Sequence, residues 1–422
     1  MESGISKFLL FFFVLICILP TGAEDLFPVS GIMHISSNVS DGKYSIDEIA
    51  KSSLDKGIEV VFLSDHDSKR WEYGLPPFRK LFKRRVELNS VLNLGPDKYL
   101  ALIREAEKNN KGIIIIPGVE AAAFYYWEGN ILKRNMELQA WHRHILVVGL
   151  EKGEDYKNLP LVANGRSRFD QYHGDKWFRP YQDLIDYVNK KGGMAFWAHP
   201  EAENKQVIGG IFIHTLPYPD FLLKTFNYTG FGILHEGYKE VGVPGGIWDN
   251  ILQEYVKGRR EKSVVAIGEA DYEGGAVEEI GMVKNVFLVK EKSKAEILSA
   301  LRKGRFYVVK KCGRGDLKLD RFEVSSGESK AIMGESVLME GQGRISVSLS
   351  DTLGSGQKVL VRLIKNGKIT AIQEGELPMA YDFMDKGIDA RGGGYYRLDV
   401  TGKDSVILTN PIFFHNSSHG TK

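Results

Sequence analysis

The chain has 422 residues, of which 43% are hydrophobic and 26% charged. That is long enough for two or three domains and for a full apolar core without disulfide or metal staples. Lys+Arg 56 against Asp+Glu 54 leaves a formal charge of +2, which removes a global field for nucleic acid; the 11% aromatic content, with no long Pro-rich or single-sign tract, argues against low-complexity disorder. The N-terminus reads as a targeting segment: Lys7 precedes a continuous apolar run from Phe8 to Leu19, closed by Pro20-Thr21-Gly22-Ala23. This is the pattern of a secretory signal peptide over 1–23, cleaved after Ala23, and the run falls short of the roughly 20 apolar residues of a stable membrane anchor. Removing it takes Cys17 away and leaves Cys312 alone, so export without disulfides points to a secreted or periplasmic protein.

From about Ile32 to Val309, short apolar runs alternate with helical stretches. Ser45 to Lys56 predicts a helix, Gly57 to Leu63 a buried strand, Pro96 to Asn110 a helix and Gly112 to Ile116 a buried strand. His144 to Gly149, Met194 to Ala198 and Val264 to Ile267 continue the strand series, and Ala295 to Lys303 predicts a closing helix before the strand Arg305 to Lys310. Such alternation implies a parallel sheet covered on both faces, or a barrel. After Cys312 the period changes to two. Arg344 to Ser350 alternates strictly, Lys358 to Lys365 leads into the hairpin signal Asn366-Gly367, and Tyr395 to Val400 and Ser405 to Phe414 supply further strands. The domains expected are a barrel over 24–312 and a small antiparallel β-sandwich over 313–422.

The strand ends carry His, Asp and Glu, the position where barrels of alternating strand and helix place their chemistry. They read Met33-His34-Ile35-Ser36 with Ser40-Asp41-Gly42, then Ser64-Asp65-His66-Asp67, Pro117-Gly118-Val119-Glu120, His142-Arg143-His144, Ala198-His199-Pro200-Glu201 and Gly268-Glu269-Ala270-Asp271-Tyr272-Glu273. Singly, each has a bland reading: a hydrogen-bonded strand-end histidine, a turn-forming Asp41, a helix-capping Asp65, a solvated Glu120. Their recurrence at successive strand ends is what points to a metal site, and mixed imidazole and carboxylate donors suit manganese, zinc or iron. Phe124-Tyr125-Tyr126-Trp127 either walls a pocket or packs under a loop. Arg79, Lys80, Lys83, Arg84 and Arg85, read at helical spacing, form a solvated face or an anion site.

These motifs resemble the PHP (polymerase and histidinol phosphatase) metallohydrolases, whose strand ends read H-x-H…S-D-G, T-D-H, P-G-x-E, H-x-L, A-H-P and D-x-H. The resemblance covers Gly31 to Val309. Ala295 to Arg305, with a sandwich behind it, is most similar to the CehA/McbA-type branch. The resemblance implies an α/β fold, a distorted seven-stranded (β/α) barrel, holding two or three divalent metal ions. It carries His34, Asp41, His66, Glu120, His144, His199 and Asp271 over to ligand positions. Ser36 and Glu273 stand where the family has histidine; a register shifted by one residue would put Ala270 and Tyr272 at the last motif instead. Asp65 is a candidate to orient His66 or shuttle a proton, or a structural cap, and Arg143 is a candidate for binding an anionic substrate. The implied activity is hydrolysis of small phosphoesters or carboxyl-type esters by metal-activated water, with a small-molecule partner and no nucleic acid. The rival readings are a non-catalytic barrel that binds metal or a ligand, motivated by Ser36 and Glu273, and a glycan-binding sandwich.

Overall fold

The computed structural model describes residues 26–416 apart from 235, 277–278, 314, 355 and 386–391; the expected signal peptide over 1–23 lies outside the described residues. The fold is mixed α/β and rich in sheet. One sheet runs, in spatial order, Ile114–Ile116, Val60–Leu63, Phe27–Ile35, Val283–Val289 and Phe306–Lys311. A second runs Asp65–His66, Gly118–Ala122, His144–Val148, Met194–Trp197, Gly230–Leu234 and Val265–Gly268. The chain steps from the first sheet to the second twice, across Ser64 and across Pro117. At the far edge, Ala270 N donates to Met33 O at 2.9 Å, Tyr272 N to His34 O at 3.1 Å and Ser36 N to Tyr272 O at 3.0 Å. These bonds tie the exit of Val265–Gly268 back to the exit of Phe27–Ile35.

The all-parallel expectation is corrected. His144–Val148 runs antiparallel to both Gly118–Ala122 and Met194–Trp197. The chain between Ala122 and His144 carries two short strands and a 3-10 turn but no α-helix, and a parallel neighbour needs a crossover connection. The reversal matters for the site: His144 opens its strand, so it stands at the same edge as residues that close theirs. The strand Gly230–Leu234 was not expected, because its two glycines interrupt the apolar run. The basic residues Lys83, Arg84 and Arg85 are not on a helix either: Lys83–Leu88 is a strand paired antiparallel with Lys69–Gly74.

Local signals explain the helices. Ile46–Asp55 starts at Ser45, whose side chain accepts from Glu48 N while Glu48 Oε2 accepts from Ser45 N at 2.8 Å, a reciprocal cap. Pro96–Asn109 opens on proline, and its buried Tyr99, Leu100, Ile103 and Ala106 repeat at the spacing of one helical face. Lys294–Lys303 starts at Ser293 and stops at Gly304, φ +80°, where a left-handed residue ends the helix without Cβ strain.

Beyond Cys312, which is exposed and free, the strands alternate as expected. Leu317–Ser326, Ser329–Ala331, Gly343–Asp351 and Met379–Asp385 form one sheet. The other face is not a separate sheet: Ser405–Thr409 pairs antiparallel with Phe306–Lys311, and Gly394–Gly402 pairs with Ser405–Thr409, with Ile412–Asn416 and with Lys358–Lys365. The single expected strand over Ser405 to Phe414 is thus two, broken at Asn410-Pro411 because proline has no N–H for the ladder. Val286, Tyr307 and Val309 are buried with Ile345, Val361 and Leu398 in one apolar core. Arg397, fully buried, crosses to the helix Ile247–Val256: its Nε donates to Asp249 Oδ1 at 2.9 Å and its Nη2 to Asp249 Oδ2 at 2.7 Å, while Nη1 donates to Asp399 at 2.9 Å.

Candidate metal centre

Glu120 is the hub. Buried to 2% exposure in the middle of Gly118–Ala122, it has His34 Nε2, His144 Nδ1 and His199 Nε2 at 3.2, 2.5 and 3.2 Å from Oε1, and His66 Nδ1 at 3.4 Å from Oε2. These five residues come from five different strands or strand exits, and the sheet register delivers them to one point. His66 lies directly opposite Glu120 in the parallel ladder, and His144 is paired with Ala122 across the antiparallel one. Asp271 Oδ1 adds a carboxylate 3.2 Å from His34 Nε2 on the solvent side.

A second group stands beside the first. Asp41 Oδ2 is 3.1 Å from His66 Nε2, and Glu273 offers an oxygen within 4.8 Å of the donor atoms of both. Asp271 and Glu273 therefore both face the cluster, while the Tyr272 side chain is buried with its hydroxyl donating to Gly275 O at 3.1 Å. Ser36 is buried and its hydroxyl donates to Ser64 O at 3.4 Å. His34, Glu120 and His199 bring their donor atoms within 4.8 Å of one another, as do Asp41, His66 and Glu273.

The donor set fits divalent ions. Of the buried ring nitrogens, His144 Nε2 has no hydrogen-bond partner among the described residues, and His34 Nε2 and His66 Nδ1 meet only the oxygens of Glu120 and Asp271, without well-formed hydrogen bonds, a costly arrangement unless something else engages them. Backbone strain occurs here too: His34, His199 and Asp271 adopt positive φ, +65°, +29° and +47°, a conformation that persists in non-glycine residues only where the surroundings impose it. Without an ion, burial disfavours charge on these groups, but mutual attraction outweighs it. Glu120 is held well below the usual carboxylate range by His144, His34 and His66. Glu120 and Asp271 hold His34 well above its ordinary value, and His66 and His199 rise to about 9. Burial leaves His144 at about 4 despite Glu120.

Two residues outside the expected ligand set shape the site. Glu269, buried just past Val265–Gly268, sits 3.2 Å from His34 Nδ1 and accepts from the His199 backbone N–H at 2.6 Å, so it fixes the His34 ring and the backbone that carries His199. Gly232 makes room for it: a Cβ there would lie 2.0 Å from Glu269 Oε1. The sequence offered Glu269 within the motif, two residues before Asp271, but not its direction. Lys69 is the other, with Nζ 2.5 Å from Asp41 Oδ2.

Asp65 does not join the cluster. Its carboxylate accepts from Ser37 N at 2.8 Å, from Ser37 Oγ at 2.9 Å and from Ser40 Oγ at 2.9 Å, holding the loop that presents Asp41; burial raises its pKa against these bonds. Gly42 completes that loop, since a Cβ there would lie 2.2 Å from Ser36 O. Arg143 donates from Nη1 to Asp175 at 2.9 Å and lies over the Phe221 ring at 4.9 Å, with Nε unpartnered. Trp141 packs on both His66 and His144, at ring-centre distances of 5.2 and 5.3 Å, and Trp71 packs on Trp141 at 4.9 Å. A cavity of about 630 Å³ lies beyond Trp71, lined by Tyr73, Phe82, Arg84, Trp127 and Ile211 among others. Phe124, Tyr125 and Tyr126 are buried packing, and only Trp127 of that run lines this cavity.

No protein-family model matches the sequence, and no curated protein matches it. Among solved structures, the chain is similar to a two-domain protein from Bacteroides vulgatus containing a predicted PHP-like metal-dependent phosphoesterase, at 15% identity over 92% of this chain and 95% of that one, TM-score 0.41. It is similar to a lesion-specific endonuclease from Pyrococcus furiosus at 14% identity, over 66% of this chain and 56% of that one, TM-score 0.34. A metal-dependent phosphoesterase so named from Bifidobacterium adolescentis is 13% identical over 58% of this chain and 87% of that one, TM-score 0.30.

Proposed function

We propose that this protein is an exported metal-dependent hydrolase of small phosphoesters or carboxyl-type esters, a PHP-type barrel of the CehA/McbA kind with a C-terminal sandwich. The observation that carries the reading is the buried Glu120 carboxylate with four imidazoles against it, each from a different strand or strand exit. The seven-stranded barrel is supported by the hydrogen bonds that join the exits of Phe27–Ile35 and Val265–Gly268. His34, Glu120, His199, His144 and Asp271 would hold divalent metal, manganese, zinc or iron; whether Asp41, His66 and Glu273 hold another ion turns on Lys69, taken up below. When bound, such ions supply acidified water at neutral pH and positive charge for the ester oxygens.

The chain's own residues do the rest. Glu269 keeps the His34 ring turned so that Nε2 faces Glu120 and Asp271. Tyr218 OH, 3.3 Å from His199 Nδ1, orients the opposite ring. Arg143, with one N–H to spare, would hold an anionic group, and Asp65 acts through the loop that carries Asp41. The near-neutral charge of +2 favours a small substrate over nucleic acid, and cleavage after Ala23 would deliver the chain to the periplasm or medium.

The test is turnover by metal-stripped protein resupplied with manganese, zinc or iron, on chromogenic phosphomonoester, phosphodiester and aryl ester substrates. Metal-dependent hydrolysis that disappears in Glu120→Gln is expected. Folded, metal-binding protein without turnover on any of them would favour the non-catalytic barrel, for which the neutral Ser36 is the specific motive.

A further inference from the structure

The two groups of metal-competent side chains differ in what already meets their carboxylates. In the first, among the described residues, Glu120 faces imidazoles only. In the second, Asp41 Oδ2, the oxygen 3.1 Å from His66 Nε2, also receives Lys69 Nζ at 2.5 Å. The other oxygen, Oδ1, lies 3.0 Å from Ser40 Oγ, whose single proton is also within reach of Asp65 Oδ1 at 2.9 Å. The Asp41 oxygen that faces His66 is thus the one already paired with the Lys69 ammonium.

Lys69 is no surface lysine folded back by chance. The residue is 7% exposed, its ammonium lies 5.8 Å from the centre of the Trp141 ring, and its backbone opens the strand Lys69–Gly74, paired in register with Leu88. Trp141 itself is fixed between His66, His144 and Trp71. The ammonium is therefore placed by the same packing that places the imidazoles. A divalent ion shared by Asp41 and His66 would meet the oxygen that Lys69 already occupies, and would sit within a few ångströms of a like charge beside the buried Lys69 and His66, where screening is weak.

We infer that Lys69 serves as a built-in organic cation in place of a metal ion in the Asp41–His66–Glu273 group, so that divalent metal is held at the His34–Glu120–His199 group alone. This rests on the reading of that first group as a metal centre, and is independent of whether the protein hydrolyses anything. Glu273 then has a role without coordinating: it is a second carboxylate in a group whose positive charge the chain itself provides.

The experiment counts bound manganese by elemental analysis after equilibrium dialysis, in the wild type and in Lys69→Met, with Lys69→Gln as a second variant and circular dichroism to confirm folding. Each variant is expected to bind one equivalent more than the wild type, with the extra ion lost again in Lys69→Met/Asp41→Asn. If the variants gain no ion, whatever the wild type binds, the inference is overturned. If the wild type binds none while Lys69→Met binds one, Lys69 does take the place of an ion at the Asp41–His66–Glu273 group, but the reading of the His34–Glu120–His199 group as a metal centre, and with it that half of the inference, is overturned. Acylation of Lys69 in the wild type, followed by peptide mass spectrometry, gives a readout without substitution. It is expected to stay unchanged from zero to saturating manganese; a rise would mean that the ion displaces the ammonium, and would equally overturn the inference.

Discussion

Metal uptake is expected to be driven by pH, and the size of the effect follows from the cluster. Without metal, His34 sits well above its ordinary pKa and His199 near 9, both held there by carboxylates, so at pH 7 both rings carry protons. An ion at the His34–Glu120–His199 group needs the lone pairs those protons occupy. For His199, two pH units below its pKa, the competition costs about 3 kcal/mol of apparent metal affinity at pH 7. The sign is fixed: raised pKa values mean that protons compete at low pH, so affinity rises with pH and levels off as each ring loses its proton. Glu120, held far below neutrality, and His144, near 4, exchange no protons in this range. With two protons displaced, affinity should tighten about 100-fold per pH unit between pH 6 and 8. Calorimetric titration with manganese in buffers of different ionisation enthalpy reads the proton count directly as a slope. Two protons are expected; three would mean that His66 is also deprotonated by metal. A zero slope with pH-independent affinity would refute the electrostatic account of the cluster.

Glu269→Gln removes the charge behind His34 Nδ1 and should weaken metal binding about 10- to 100-fold with little change in folding, whereas Glu120→Gln should cost more than that; equal losses in the two variants would argue against Glu120 as the hub. Arg397→Met leaves buried Asp249 without a cation, holding only Tyr395 OH and Gly245 N, while Asp399 keeps Arg362, and should lower unfolding free energy by about 3–5 kcal/mol, measured by urea denaturation. Adding Asp249→Leu should recover part of the loss, and a single-variant loss under about 1 kcal/mol would show that the pair is not a fastening between the helix Ile247–Val256 and the C-terminal sheet. Expressed in a secreting host, the mature chain should begin at Glu24 on N-terminal sequencing; an uncleaved cytoplasmic product would sink the export reading.

Much of this protein is written locally. The capping box at Ser45, the apolar spacing of Pro96–Asn109, the Asn366-Gly367 hairpin and the period-two strands are set by side chains within a few residues of one another, so the sequence alone determines them. The same holds for the placement of His34, His199 and Asp271 at or just past strand ends, because strand length and the following loop residues are local; Glu120 and His66 instead lie within new strands, Gly118–Ala122 and Asp65–His66, that begin where the chain steps into the second sheet. Tertiary structure decided what depends on partners distant in the chain. The direction of His144–Val148, which puts His144 beside Glu120 and the other clustered histidines, depends on its pairing with both neighbours. The turning of Glu269 toward His34 and His199 needs the space left by Gly232. The meeting of Lys69 with Asp41 joins residues 28 apart through the packing of Trp141 and Trp71. The continuation of one sheet across Cys312 follows from hydrogen bonds between Phe306–Lys311 and Ser405–Thr409, nearly a hundred residues later, which no local pattern specifies. Ion pairing and strand edges are satisfied by whatever the fold brings near, and that is why the clustering side chains are legible in the sequence while the charge balance between the two groups is not.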